Sequence, residues 1–116
     1  NAPGAVGPYS QAMATDNLVY TSGQLGINPA DQAMPESVRE HAELCLSNVK
    51  AVLEAAGSGM DKVLKATVFL TDMNDFAVVN EVYGGVFSQP YPARSCFAVK
   101  ALPLGAKVEI EVVAVR

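Results

Sequence analysis

Residues 91–96 read Y-P-A-R-S-C and residues 107–111 read K-V-E-I-E, and both stretches have the pattern of strands. Side chains alternate between the two faces of an extended chain, so Arg94 and Cys96 share one face. Arg94 is one of only three arginines, and its setting is apolar. On a half-buried face its guanidinium needs an anionic partner. That partner is either an acidic side chain of this protein or an anionic ligand, and these residues alone leave both open.

Size and composition restrict the classes of function. The chain has 116 residues, of which 50% are hydrophobic, and this length fits one domain spanning 1–116. A small domain buries a small fraction of its surface, so we expect part of the apolar surface to face another subunit. The net charge of −4 argues against broad contact with nucleic acid or an anionic membrane, since both attract clustered Lys and Arg.

The cysteine content bears on the compartment. There are two cysteines, Cys45 and Cys96, and neither belongs to a metal-ligand motif. Together with the lack of any run of about 18 apolar residues, this predicts a protein of the reducing cytoplasm that does not enter membranes. Because the chain begins with Asn1 rather than Met, a removed targeting peptide and an organellar location are left open.

Apolar periodicity predicts two helices and five strands, in the order ββαβαββ. The strands are expected at 9–14, 17–24, 63–70, 94–100 and 106–115, with the first two paired as a hairpin. This order fits an α+β domain in which both helices cover one face of a single sheet. On the last strand, Val113 and Val115 lie on the face opposite Val108 and Ile110. The helix-free face is therefore partly apolar, and we expect it to pack against copies of the same chain.

Both predicted helices have one apolar face. From Val38, apolar residues recur at spacings of three and four until the helix ends near Gly57, and Pro35 is expected in the first turn. His41 flanks this face and is predicted to be solvated rather than a general base. Asp75 is the expected N-cap of the second helix. The apolar face of that helix is formed by Phe76, Val79, Tyr83 and Val86.

Six short motifs are shared with a known family. They are G-P-Y-S-Q at 7–11, T-S-G-Q at 21–24, T-V-F-L-T-D-M-N-D-F at 67–76, V-N-E-V-Y at 79–83, P-A-R-S-C at 92–96 and V-E-I-E at 108–111. Through these motifs the chain resembles the RidA/YjgF group of reactive-intermediate deaminases, also called L-PSP endoribonucleases, over essentially its whole length. The resemblance implies a chorismate-mutase-like fold and a homotrimer with ligand clefts between subunits.

The resemblance also implies catalytic and binding roles. Arg94 would hold the carboxylate of a 2-imino acid, and the backbone around Cys96 would contact the imine end. Glu109 would direct the attacking water, Glu111 would be structural, and Tyr9 would line the cleft. No histidine is near Cys96 in the sequence, so we do not expect its thiol to act as a nucleophile.

Residue chemistry alone leaves several assignments open. Ser22 and Gly23 stand at a strand end, where the backbone can approach a ligand closely. Asn80 interrupts an apolar helix and needs a hydrogen-bond partner, which is either a loop that it caps or the ligand. The alternative for Glu109 is an ion pair with Lys107 or with the arginine.

The sequence thus predicts an enzyme that hydrolyses 2-imino acids or their enamine tautomers, products of pyridoxal-phosphate dehydratases, to 2-keto acids and ammonia. A protonated imine is already electrophilic, so no metal or organic cofactor is expected. One alternative is an endoribonuclease or translation inhibitor, which the acidic charge disfavours. Another is a carboxylate-binding module without turnover. Chorismate mutase activity is disfavoured, because a dicarboxylate substrate calls for more than three arginines.

Overall fold

The computed structural model describes residues 4–5 and 7–116, so residues 1–3 and 6 of the predicted domain lie outside the described residues. Six strands and two helices follow one another along the described residues. They are β1 (Ala12–Ala14), β2 (Leu18–Thr21), β3 (Gln24–Leu25), α1 (Val38–Ala55), β4 (Val63–Leu70), α2 (Phe76–Val86), β5 (Ala93–Ala98) and β6 (Val108–Val115).

All six strands belong to one sheet. Its order is β1-β2-β6-β4-β5, and β3 pairs with β6 beyond the end of β2. β4 and β5 are parallel and are joined through α2, whereas the other pairs are antiparallel. This order makes β6 a central strand and β5 an edge strand, with β4 between them.

The hydrophobic core lies between the helices and one face of the sheet. Ile110 on β6 and Val68 on β4 belong to the same buried cluster as Val49 on α1 and Val79 on α2. The predicted α+β architecture, with both helices on one face, is therefore confirmed.

Large apolar side chains lie on the helix-free face. Tyr20 on β2 is paired with Met13 on β1 and with Val113 on β6, so these residues form one row across three strands. Tyr20 is 48% exposed and Met13 66% exposed. Phe69 and Phe97, on neighbouring strands, pack edge to face with their ring centroids 5.3 Å apart. An exposed apolar face of this kind marks an interaction surface.

The predicted strand at 17–24 is interrupted. β2 ends at Thr21 and β3 begins at Gln24. Tyr20 is paired with Val113 and Gln24 with Ile110, so three residues on the β2–β3 side lie opposite two residues of β6. The side chain of Thr21 replaces a backbone acceptor at this break, because its Oγ1 accepts a hydrogen bond from the N–H of Val112 at 3.0 Å. The two residues between β2 and β3 therefore form a bulge.

The first helix begins later than predicted. Ser37 is its N-cap, and the Ser37 Oγ accepts a hydrogen bond from the N–H of Glu40 at 3.1 Å. Pro35 thus precedes the cap, and its predicted place in the first turn is wrong. The predicted end is confirmed, since Gly57 follows the helix with a φ of +83°. Within the described residues no helix is long and apolar enough to cross a membrane.

The predicted start of α2 is confirmed in position, but the predicted capping by the Asp75 side chain is wrong. Asp75 precedes the helix, but its carboxylate makes no capping hydrogen bond. Asp72 accepts one instead, from the N–H of Asn74 at 2.9 Å, and this bond caps the short 3₁₀ turn that leads into the helix.

The prediction that His41 is solvated is wrong, since the side chain is only 3% exposed. The loop after β3 packs closely against the backbone of this residue, since a Cβ on Gly26 would lie 2.7 Å from the His41 carbonyl oxygen. Asn48 fastens the same loop, because its Nδ2 donates to the carbonyls of Leu25 and Ile27 at 3.0 and 2.9 Å. Burial is the main cause that lowers the pKa of His41.

Candidate active site

Arg94 lies on the edge strand β5 and turns toward α2. Its side chain is exposed, not half-buried as predicted. The Arg94 Nη1 donates to the Oδ1 of Asn80 at 2.6 Å. Its guanidinium carbon lies 5.0 Å from the ring centroid of Tyr83 and 5.5 Å from that of Phe76. One helix thus supplies an amide and two aromatic rings to hold this cation.

Within the described part of the chain, no acidic side chain forms a salt bridge with Arg94. Among residues 4–5 and 7–116, the single salt bridge joins Arg39 to Glu81 at 3.1 Å, and neither Arg94 nor Glu109 takes part in one. Of the two partners that the sequence left open for Arg94, the internal acid is therefore not found within the described chain. For Asn80 the structure shows a partner that neither alternative named, because its side chain accepts a hydrogen bond from Arg94.

Cys96 follows Arg94 on the same face of β5 and is a free thiol. Burial raises the pKa of this thiol, and the positive charge of Arg94 only partly opposes that effect, so the thiol stays protonated. The N–H of Val99 donates to the Leu70 carbonyl on β4 at 2.7 Å. By strand alternation, the N–H and C=O of Cys96 point away from β4, toward the open edge of the sheet. The main chain of Cys96 thus faces outward beside the guanidinium.

Glu109 projects from the helix-free face of β6 and is half-buried. Burial raises its pKa, and the nearby charge of Glu111 raises it further. Gly23 packs directly against this carboxylate. A Cβ at position 23 would overlap the Glu109 Oε2 and lie 2.6 Å from the carboxylate carbon. Glycine is therefore a steric requirement of the Glu109 position.

A groove of about 530 Å³ opens beside Glu109, and Tyr9, Ser22 and Gly23 are among its lining residues. The Ser22 Oγ donates to the carbonyl of Ser10 at 2.6 Å, and the Ser22 N–H donates to the carbonyl of Gln11 at 2.8 Å. These bonds fasten the segment that carries Tyr9 against the bulge between β2 and β3.

The candidate residues thus form two separate groups. We call Arg94, Asn80 and Cys96 the arginine half-site, which adjoins a groove of about 380 Å³. Another group, which we call the glutamate half-site, comprises Tyr9, Ser22, Gly23 and Glu109.

The two half-sites do not meet in one chain. β4 lies between β5 and β6, so the strands that carry Arg94 and Glu109 are two strand spacings apart, or about 10 Å across the sheet. Arg94 is paired with the buried Ala66, whereas Glu109 is paired with Phe69 on the helix-free face. The two side chains therefore leave opposite faces of the sheet.

Comparison with known proteins identifies the family. The family described as Endoribonuclease L-PSP matches residues 1–116. The chain belongs to this family, the RidA/YjgF group. It is 50% identical over 116 residues to the 2-iminobutanoate/2-iminopropanoate deaminase of Bos taurus, a match that covers 99% of this chain and 85% of the bovine protein.

Solved RidA/YjgF structures have the same fold. RidA from an Antarctic Psychrobacter superposes with a TM-score of 0.96 and 49% identity, covering 99% of this chain and 94% of that one. Escherichia coli TdcF, solved with bound serine, superposes with a TM-score of 0.95 and 47% identity, covering 99% and 93% of the two chains. The RidA/YjgF fold expected from the motifs is therefore confirmed.

Two rings that support Arg94 in this RidA/YjgF protein were not predicted in that role. Phe76 and Tyr83 were predicted only as part of the apolar face of the second helix. A signal was present, because residues 76, 80 and 83 recur at helical spacing and so place both rings beside Asn80. Gln24 was also missed: it is 3% exposed, and its side-chain amide donates to the Gln11 side chain at 2.8 Å.

Proposed function

We propose that this protein hydrolyses 2-imino acids and their enamine tautomers to 2-keto acids and ammonia. The observation that carries the proposal is the guanidinium of Arg94, which is held at an open sheet edge and has no acidic partner among the described residues. Such a group fits a ligand carboxylate. The name of the bovine relative supports this reaction class. Serine in TdcF supports it too, since serine carries a carboxylate and a nitrogen on the same carbon, as a 2-imino acid does.

We also propose that the active site is completed between subunits of a homotrimer. In a 2-imino acid the carboxylate is bonded directly to the carbon that water attacks, so one ligand must touch both half-sites at once. Half-sites on opposite faces of one sheet cannot do this. The apolar helix-free face supports the packing of sheets from several subunits. The arginine half-site of one subunit would then meet the glutamate half-site of its neighbour.

The proposed chemistry uses few groups. Arg94 binds the carboxylate through two parallel N–H groups, and the Cys96 main chain contacts the imine nitrogen. Glu109 accepts a proton from water as the water oxygen bonds to the imine carbon, giving a carbinolamine. Glu109 returns that proton to the nitrogen and takes the hydroxyl proton of the carbinolamine as the C–N bond breaks, so that the 2-keto acid and ammonia are released. The raised pKa of Glu109 suits a general base near neutral pH.

Tyr9 borders the Glu109 groove, where its phenol would line the cleft. We place the reaction in the cytoplasm, because both cysteines are free thiols, as expected in a reducing compartment.

The direct test couples the protein to a pyridoxal-phosphate threonine dehydratase and follows the release of 2-oxobutanoate with and without this protein. We expect faster release. Arg94→Lys should be badly impaired, since an ammonium cannot reproduce the two parallel bonds of the guanidinium. Cys96→Ser should be mild, because only the main chain is assigned a role. Near-normal activity in Arg94→Lys, or inactivity in a folded Cys96→Ser protein, would contradict these roles.

The same preparation distinguishes the alternative functions. Binding of a keto acid without faster release would indicate a binding module. RNA cleavage that persists through purification and disappears in Arg94→Ala would indicate a nuclease, which the net charge of −4 disfavours.

Complementation tests the site between subunits. Arg94→Ala and Glu109→Ala should each be inactive when expressed alone. Coexpressed in equal amounts, they should regain about a quarter of wild-type activity, because at random one interface in four joins an intact arginine half-site to an intact glutamate half-site. Mixed trimers with no activity would mean that both residues act within one chain.

A further inference from the structure

The support of Arg94 by aromatic rings goes beyond its assigned contact with substrate. An exposed arginine on an edge strand has much rotamer freedom, and binding a ligand removes that freedom at a cost in affinity. Here, both rings lie within the range of a cation–π contact, about 6 Å. We propose that Phe76 and Tyr83 are positioning residues that fix the orientation of the Arg94 guanidinium before a ligand arrives.

The hydrogen bond to Asn80 selects which edge of the guanidinium faces the ligand. That bond uses Nη1 and is the one side-chain hydrogen bond of Arg94 within the part of the chain that the structure describes. The opposite edge, formed by Nε and Nη2, carries two parallel N–H groups that match the two oxygens of a carboxylate. With the rings against its face and the amide on Nη1, the guanidinium presents this edge outward.

The groups that hold Arg94 leave its charge intact. An amide oxygen and two rings carry no net charge, so they orient the cation without competing with an anionic ligand. An acidic partner would orient it equally well but would have to be displaced by the ligand carboxylate. This distinguishes an arginine built to bind a ligand from one that stabilises the fold.

The ring of Tyr83, rather than its hydroxyl, performs the positioning. Tyr83 is 5% exposed, and among the described residues its hydroxyl has no hydrogen-bond partner. The ring of Phe87 packs against the ring of Tyr83, with ring centroids 4.6 Å apart. Removal of the hydroxyl alone should therefore preserve the support of Arg94.

The inference rests on the proposed function, and its test uses pyruvate as an unreactive probe. We expect Phe76→Leu and Tyr83→Leu to raise the Kd for pyruvate and the KM for the imine by about 10-fold, with a smaller change in kcat. Tyr83→Phe should stay within about 2-fold of the wild type, because the ring is retained.

Phe87→Leu is the matched control. Phe87 is as buried as Tyr83 and packs against it, but it is not among the rings that contact Arg94. This variant should lose thermal stability as Tyr83→Leu does, yet keep its Kd. Phe76 is only half-buried, so Phe76→Leu provides the test if Tyr83→Leu does not fold.

The outcomes separate the two proposals. If the wild type binds pyruvate and hydrolyses imines but Phe76→Leu matches it in Kd and KM, the positioning role is wrong and the function stands. An equal rise in Kd for Phe87→Leu and Tyr83→Leu would likewise mean that the rings stabilise the fold and do not orient Arg94. A wild-type protein that neither binds pyruvate nor hydrolyses imines overturns the proposed function, and this inference with it.

Discussion

Replacing Gly23 with alanine should disable Glu109 without disturbing the fold. The added Cβ would lie 2.6 Å from the Glu109 carboxylate carbon, whereas ordinary carbon contacts are near 3.5 Å, so that carbon must retreat by roughly 1 Å. The φ of Gly23 lies outside the left-handed region, so alanine tolerates the backbone there. The Glu109 Cγ would be 2.9 Å from the added Cβ, so the flexible side chain has to move from Cγ outward. The cost in stability should therefore be about that of an unfavourable rotamer, roughly 1 kcal/mol.

The loss of activity should be much larger than the loss of stability. Displacing a catalytic group by about 1 Å can cost on the order of 100-fold in rate. We therefore expect kcat for imine hydrolysis to fall about 100-fold in Gly23→Ala, approaching the effect of Glu109→Gln, while the Kd for pyruvate changes little. Thermal unfolding and keto-acid release, measured on the same preparations, would compare the two losses.

Two further variants make this prediction refutable. Gly26→Ala is the control for steric clash, because its Cβ would meet the backbone of His41 and should destabilise the protein instead. In a Glu109→Ala background, Gly23→Ala should cause no further loss, since the carboxylate is already gone. A further loss there, or weaker binding of pyruvate in the single variant, would mean that Gly23 acts through the ligand rather than through Glu109.

Three other predictions concern assembly and pH. Light scattering of the wild type should give the mass of three chains. Val113→Asp should lower the measured mass, because an unpaired charge buried in an interface costs several kcal/mol. A Val113→Asp protein that stays fully trimeric would show that the subunits meet through another face. Burial and the charge of Glu111 raise the pKa of Glu109, so Glu111→Gln should move the acid limb of the plot of kcat against pH to lower pH. An unchanged acid limb would mean that another group titrates there. Burial lowers the folded-state pKa of His41, so the stability contributed by the neutral ring is present above the unfolded-state pKa of about 6.5 and is lost as pH falls below it. The melting temperature of His41→Gln should therefore depend less on pH, between about 7 and 5, than the melting temperature of the wild type. Equal slopes for the two proteins would contradict this.

Local patterns were predictable where one physical constraint decides the structure. The apolar spacing that begins at Val38 requires a helix with one buried face, and α1 has it. Alternation along β6 likewise separates Ile110 from Glu109, and the structure has them on opposite faces. Such patterns need no knowledge of what packs on them, and so a single sequence was sufficient.

Features that depend on distant segments were not predictable. His41 was expected to be solvated because its own helix offers it a flank position, but it is buried, and the loop at Gly26 packs against its backbone. The break between β2 and β3 exists because the side chain of Thr21 can replace one ladder bond to Val112. Each of these outcomes was decided by a partner remote in sequence.

The relation between Arg94 and Glu109 shows the same limit at the active site. Their residue types and motifs indicated a carboxylate anchor and a general base, and on successive strands they looked like neighbours. The sheet order separates them, because β4 enters between β5 and β6 and the two residues fall on opposite faces. No rotamer of either side chain can cross a sheet that is closed by backbone hydrogen bonds and by the core beneath it. If Arg94 and Glu109 bind one small ligand, they must come from two different subunits. The apolar helix-free face, by joining the subunits, is then needed for catalysis as well as for assembly.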